Sequence, residues 1–257
     1  MPKLDGISVT DLNKTVHGFQ YTSVTVDKLG ATEYTLFEMI TDESGSVSSF
    51  KAGLEKSMAT SVEACQKSPR ANNLLHRMTS FSARGGGISQ IREIHGFTLL
   101  NSTNPIDYKN SLSPNGGTPL IDAALEGVDA CYDYAKRLYK QKFLCNGIIV
   151  ILTDGEENAS DPNHSASDIK AMIDRIKQEN VLESLRTILI GVNDTDANMK
   201  QGLIAFQTAA GIDEYISMGD VSAGKLAKLA QFVSQSVSSQ SQSLGSGAGS
   251  VPLSVTF

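Results

Sequence analysis

Gly147-Ile-Ile-Val-Ile-Leu-Thr-Asp-Gly155 is the stretch that decides the fold. Residues 147–152 form an unbroken apolar run without alternation, the mark of a strand buried on both faces. Thr153-Asp154-Gly155 then places polar groups at its carboxyl end. Working outward, residues 34–41 (YTLFEMIT) read as a second short apolar strand ending at Asp42. Phe50, Leu54, Met58, Val62 and Cys65 recur at helical spacing and predict a helix over 49–66. Two strands, 74–81 and 90–98, flank Ala83-Arg84-Gly85-Gly86-Gly87 and read as an antiparallel hairpin. A helix over 119–138 follows, with Pro119 at a permitted first-turn position. Beyond the central run, helices over 165–178 and 197–210 alternate with strands over 185–191 and 214–217. A last helix, about 221–233, carries Leu226, Leu229, Ala230 and Val233 on one face.

Strands alternating with helices require crossover connections, hence an α/β, Rossmann-like fold. The expectation is a mostly parallel central sheet with one antiparallel edge strand and helices on both faces. Residues 1–33 form an extension whose alternating stretch 21–26 offers an edge strand, and 34–235 form the domain. Residues 236–257 read as a flexible Ser/Gly-rich tail, because the 24 residues from Ser234 hold nine Ser and no acidic side chain.

The chain has 257 residues with 22 Lys+Arg against 28 Asp+Glu, a formal charge of −6. No basic stripe is present, which excludes the electrostatics of nucleic-acid binding. Three separated cysteines without C-x-x-C suit free thiols in a reducing, cytoplasmic compartment. Neither a signal peptide nor a bilayer-spanning run is visible, so no membrane role is expected. His17, His76, His95 and His164 lack zinc spacing and read as surface or sheet residues. Arg84-Gly85-Gly86-Gly87 reads as a turn in preference to a phosphate nest. Gly245-x-Gly247-x-Gly249 follows no strand and is no dinucleotide fingerprint.

In open α/β sheets, ligands gather outside the carboxyl ends of the strands. Three polar sequences fall there: Asp42-Glu-Ser44-Gly-Ser46, Gly116-Gly117-Thr118-Pro119 and Thr153-Asp154-Gly155. Together they supply carboxylates and hydroxyls, a hard-oxygen set that suits Mg²⁺, with Mn²⁺ or Ca²⁺ as alternatives. Each sequence alone reads equally as a turn or helix cap. Glu156 and Glu157 read as a solvated first-turn pair opposing a helix dipole.

Asp42-x-Ser44-x-Ser46, Thr118 and Asp154 resemble the metal-ion-dependent adhesion site (MIDAS) of the von Willebrand factor type A (vWA) family. DESGSV, the Phe81-Ser82 pair, GGTPL and TDGEEN match its context, and the resemblance covers about residues 32–235. It implies that Ser44, Ser46 and Thr118 bind a metal through hydroxyls, while Asp42 and Asp154 coordinate it or hold its waters. It also implies an open coordination position for an Asp or Glu of a partner protein. Glu43 stands at a variable position, where its charge is expected to weaken or tune attraction to such a partner. The chain looks most like stand-alone prokaryotic or phage-borne members, some tied to tellurium resistance and stress response or to AAA+ ATPases.

The function this implies is metal-dependent binding of an acidic side chain, without catalysis. One alternative is a structural component of a larger assembly, its metal merely stabilising. Another is a Mg²⁺-dependent phosphoaspartyl hydrolase with Asp42 as nucleophile, but Ser44 replaces the second carboxylate of its D-x-D pattern. In related domains the last helix is coupled to the metal site, so a partner gripping residues 251–257 is expected to bias it.

Overall fold

The computed structural model describes residues 10–246 apart from Gly86. Its centre is β3 (Glu33–Asp42), buried at every position after the first. Such a strand must be apolar on both faces, which is why YTLFEMIT lacks alternation. β4 (Leu74–Arg84) and β6 (Leu144–Thr153) flank it in parallel register. β7 (Ser184–Gly191) and β8 (Glu214–Ser217) continue the parallel run beyond β6. On the other side β5 (Ile88–Leu99) pairs antiparallel with β4. β2 (Gln20–Val24) lies beside β5, and β1 (Thr10–Lys14) pairs antiparallel with β2 to form the edge. The eight-stranded order is β1-β2-β5-β4-β3-β6-β7-β8.

Both faces are covered. α2 (Leu120–Lys140), α3 (Ala166–Glu179) and α4 (Ala197–Ala210) pack on one, around Leu36, Ile40, Ile149 and Ile151. α1 (Lys51–Gln66) and α5 (Ala223–Ser246) pack on the other, around Phe37, Met39, Ile148 and Val150. These alternate residues of β3 and β6 divide between the faces by the two-residue period of a strand. No helix among the described residues is long and apolar enough to cross a membrane. The cysteines are buried free thiols, and burial pushes Cys65 and Cys145 up to about 12.

Three features depart from expectation. The extension supplies a β1–β2 hairpin in place of one strand, because β1 (TDLNK) is mostly polar and carries no alternating signal. The last helix runs to Ser246, and Val237, Gln240 and Ser241 are buried on it. Its extension is held by side-chain amides: Asn146 donates to the Gln240 carbonyl at 2.8 Å, and Gln240 Nε2 donates to Ser184 Oγ at 2.6 Å. Residues 251–257, the expected grip for a partner, lie outside the described residues. Finally, an ionic cluster crosses the core: Arg77, fully buried, binds Glu38, Glu93 at 2.9 Å and Glu126 at 2.5 Å. Burial and the neighbouring acids hold the Glu38 carboxyl above its usual range.

Candidate metal centre

The centre is built where β3 and β6, adjacent and parallel, end side by side. β3 finishes at Asp42, whose Oδ1 accepts the Ser44 amide at 2.7 Å and turns the chain sharply. A short 3₁₀ segment, Gly45–Ser49, then brings Ser44 Oγ and Ser46 Oγ to 3.0 Å. β6 finishes at Thr153, and its hydroxyl donates to Asp42 Oδ2 at 2.6 Å. The next residue, Asp154, accepts from Ser46 Oγ at 2.8 Å through Oδ1. The first and third sequences therefore meet, although they are more than 100 residues apart.

The second sequence is hung from the end of β4. Ala83 N donates to Gly117 O at 2.9 Å, and Gly117 N returns a bond to Ala83 O at 3.2 Å. Gly45 N donates to Gly116 O at 3.0 Å, tying this loop to the first. Gly116 has φ 70°, the left-handed region glycine favours. Thr118 is clamped by Asn158: its amide donates to Asn158 Oδ1 at 2.8 Å and its carbonyl accepts the Asn158 amide at 3.1 Å. The Thr118 hydroxyl lies 3.3 Å from where a Cβ on Gly155 would stand. All five expected residues thus sit on three loops that touch one another.

Electrostatics shows what this arrangement lacks. Asp42 and Asp154 are 1% and 6% exposed, and no Lys, Arg or His pairs with either among the described residues. Burial pushes the Asp42 carboxyl up to about 7 and raises Asp154. Two buried carboxylates without a cation are costly unless something positive is supplied. Three hydroxyls beside them complete an all-oxygen donor set, which fits a small hard divalent ion. No group of three or more His, Cys, Asp or Glu suited to a metal occurs among the described residues. The donor set here is instead two carboxylates joined by hydroxyls.

Several neighbours escaped the sequence reading. Thr153 orients Asp42, and Asn158 fixes Thr118. Glu43, expected to weaken or tune attraction to an acidic partner, is 2% exposed and bound by Arg84 and Arg92, which offset its charge beside the site. Glu157, expected to be solvated, instead accepts the Ile121 amide at 2.7 Å in the first turn of α2. His76 is buried in β4, while His17 and His164 pair with Asp129 and Asp122. The three polar motifs were readable in the sequence, but which side chains brace them was not without knowing which strands are neighbours.

No family model matches this chain, and no curated protein matches it in sequence. Solved structures do share the fold. A mutant of the PilB minor pilin from Streptococcus sanguinis aligns with a TM-score of 0.59 and 13% identity, over 90% of this chain and 67% of that one. The pilus adhesin SpaC from Lactobacillus rhamnosus GG aligns at 0.55 with 11% identity, over 86% of this chain and 32% of that one. A von Willebrand factor type A protein from Catenulispora acidiphila aligns at 0.49 with 15% identity, over 86% of this chain and 45% of that one.

Proposed function

We propose that the protein is a vWA-type binding module whose MIDAS holds Mg²⁺ or Mn²⁺ and receives an acidic side chain of a partner protein. The observation that carries this reading is the convergence of Asp42, Ser44, Ser46, Thr118 and Asp154 around two buried, uncompensated carboxylates. Asp42 and Asp154 supply the negative charge, and Ser44, Ser46 and Thr118 supply neutral oxygens. A bound divalent ion would offer a Lewis-acidic position to an incoming carboxylate. Neutral hydroxyls leave that position electron-poor, which strengthens a charge-assisted bond to it.

Binding without catalysis is part of this proposal: the hydrogen bonds on Asp42 and Asp154 come from hydroxyls and a backbone amide. Titration calorimetry with Mg²⁺ and Mn²⁺ tests the centre. Thr118→Ala and Asp154→Ala are each expected to weaken binding about 10- to 100-fold while the far-ultraviolet circular dichroism stays unchanged. Equal metal affinity in wild type and both variants would refute the assignment. Partner capture in Mg²⁺ that survives EDTA would favour a structural role in an assembly.

A further inference from the structure

Residues 109–119, between the 3₁₀ turn at Pro105–Tyr108 and α2, belong to no long element, yet they deliver Thr118. Backbone groups in such a stretch need partners elsewhere, and those partners set its position. Glu43 supplies two of them directly and, through two arginines, reaches two more. Its carbonyl accepts the Asn115 amide at 2.9 Å, and its Oε2 accepts the Ser113 amide at 2.9 Å. The same carboxylate binds Arg84 at 3.2 Å and Arg92 at 2.7 Å. Those guanidiniums reach on to the Ser113 carbonyl at 2.8 Å and the Ser111 carbonyl at 2.6 Å. The Glu43 amide is fixed to Phe81 O at 2.9 Å, anchoring the whole set to β4.

We infer that Glu43 is a positioning residue that, together with the Asn158 clamp, holds Thr118 in the candidate metal centre, acting through residues 111–117. The inference rests on the metal-centre reading above. A carboxylate is needed because only an acceptor with two oxygens and several lone pairs takes three donors at once. Gln keeps the shape but turns an NH₂ toward two arginines. Arg84 and Arg92 are 31% and 41% exposed, so water receives them when the brace is cut and the fold survives.

The test is a double-mutant cycle on the full chain, read by Mg²⁺ calorimetry, with amide hydrogen exchange of the metal-free protein alongside. Glu43→Gln is expected to weaken Mg²⁺ about 10-fold in the wild-type background. In the Thr118→Ala background the same substitution should change affinity by no more than about 2-fold, because the residue it positions is gone. The Ser113 amide should exchange faster in metal-free Glu43→Gln, with β3 and β6 unchanged. A merely structural role would give the full loss in both backgrounds and would overturn the inference. A wild type that binds Mg²⁺ beside a Glu43→Gln that loses nothing overturns the brace alone. A wild type that binds none overturns the metal centre itself. Should Glu43→Gln fail to fold, Arg92→Gln cuts the same brace from its exposed side, with the same coupling to Thr118 expected.

Discussion

Gly116 shows how much of the centre depends on single atoms. Its φ of 70° is open to few other residues, and a Cβ there would run into the carbonyl of Ala83. Gly116→Ala should therefore destabilise the protein by about 3 kcal/mol, read as a lower urea midpoint at unchanged slope. A variant with wild-type stability would show that the loop leaves Ala83 without cost. The five candidate donors could be picked out in the sequence because each lies in a short polar motif, two at strand ends and one opening a helix. Glu43, Thr153 and Asn158 could not, since their roles exist only across 41, 111 and 40 residues of chain. Spacing along a sequence reports nothing about such contacts until the strand order is known.

Among the elements, α5 departs most from its composition. Ser and Gln dominate its second half, which is why the sequence reads as a tail from 236. Val237 nonetheless extends the apolar face of Leu229 and Val233, and the amides of Asn146 and Gln240 replace the apolar contacts that the composition lacks. These bonds grip the start of β6, at the opposite end of the sheet from the metal centre. Val237→Ala should cost about 2 kcal/mol, measured by urea unfolding, as for any methyl groups removed from a filled core. No change would mean that the helix frays before that residue. β6, an unbroken apolar run, and α1, whose apolar residues keep a helical period, were readable to within a few residues. β1 was not, because TDLNK is mostly polar and shows no alternation.

Across the whole molecule, a histidine pair inside the sheet works against stability in acid. His76 is fully buried, stacks on Phe37 with centroids 4.4 Å apart and meets His95 at 4.9 Å. Burial holds His76 well below the ordinary histidine range and lowers His95 as well. In the unfolded chain both titrate near 6.5, so above that pH neither state binds a proton and stability is unaffected. Below it the unfolded chain takes up protons that the folded one refuses, and stability is lost as pH falls. The raised Asp42 and Glu38 carboxyls act in the opposite direction over the same range, so the test is a difference: between about pH 7.5 and 5 the calorimetric Tm of His76→Gln should rise relative to that of the wild type. Equal slopes in both proteins would place the acid sensitivity elsewhere.

The order of strands also sets a timetable for synthesis. β3 needs β4 on one side and β6 on the other, and Asp42 meets Thr153 only after 111 further residues. A ribosome adding about 5–20 residues per second leaves that flank of β3 unpaired for several seconds. Phe37, Met39 and Ile40 then stand on an open strand edge, the kind that neighbouring nascent chains pair with. The strand that ends in the candidate metal centre is thus the one left longest with an open edge awaiting its partner while the chain is being made.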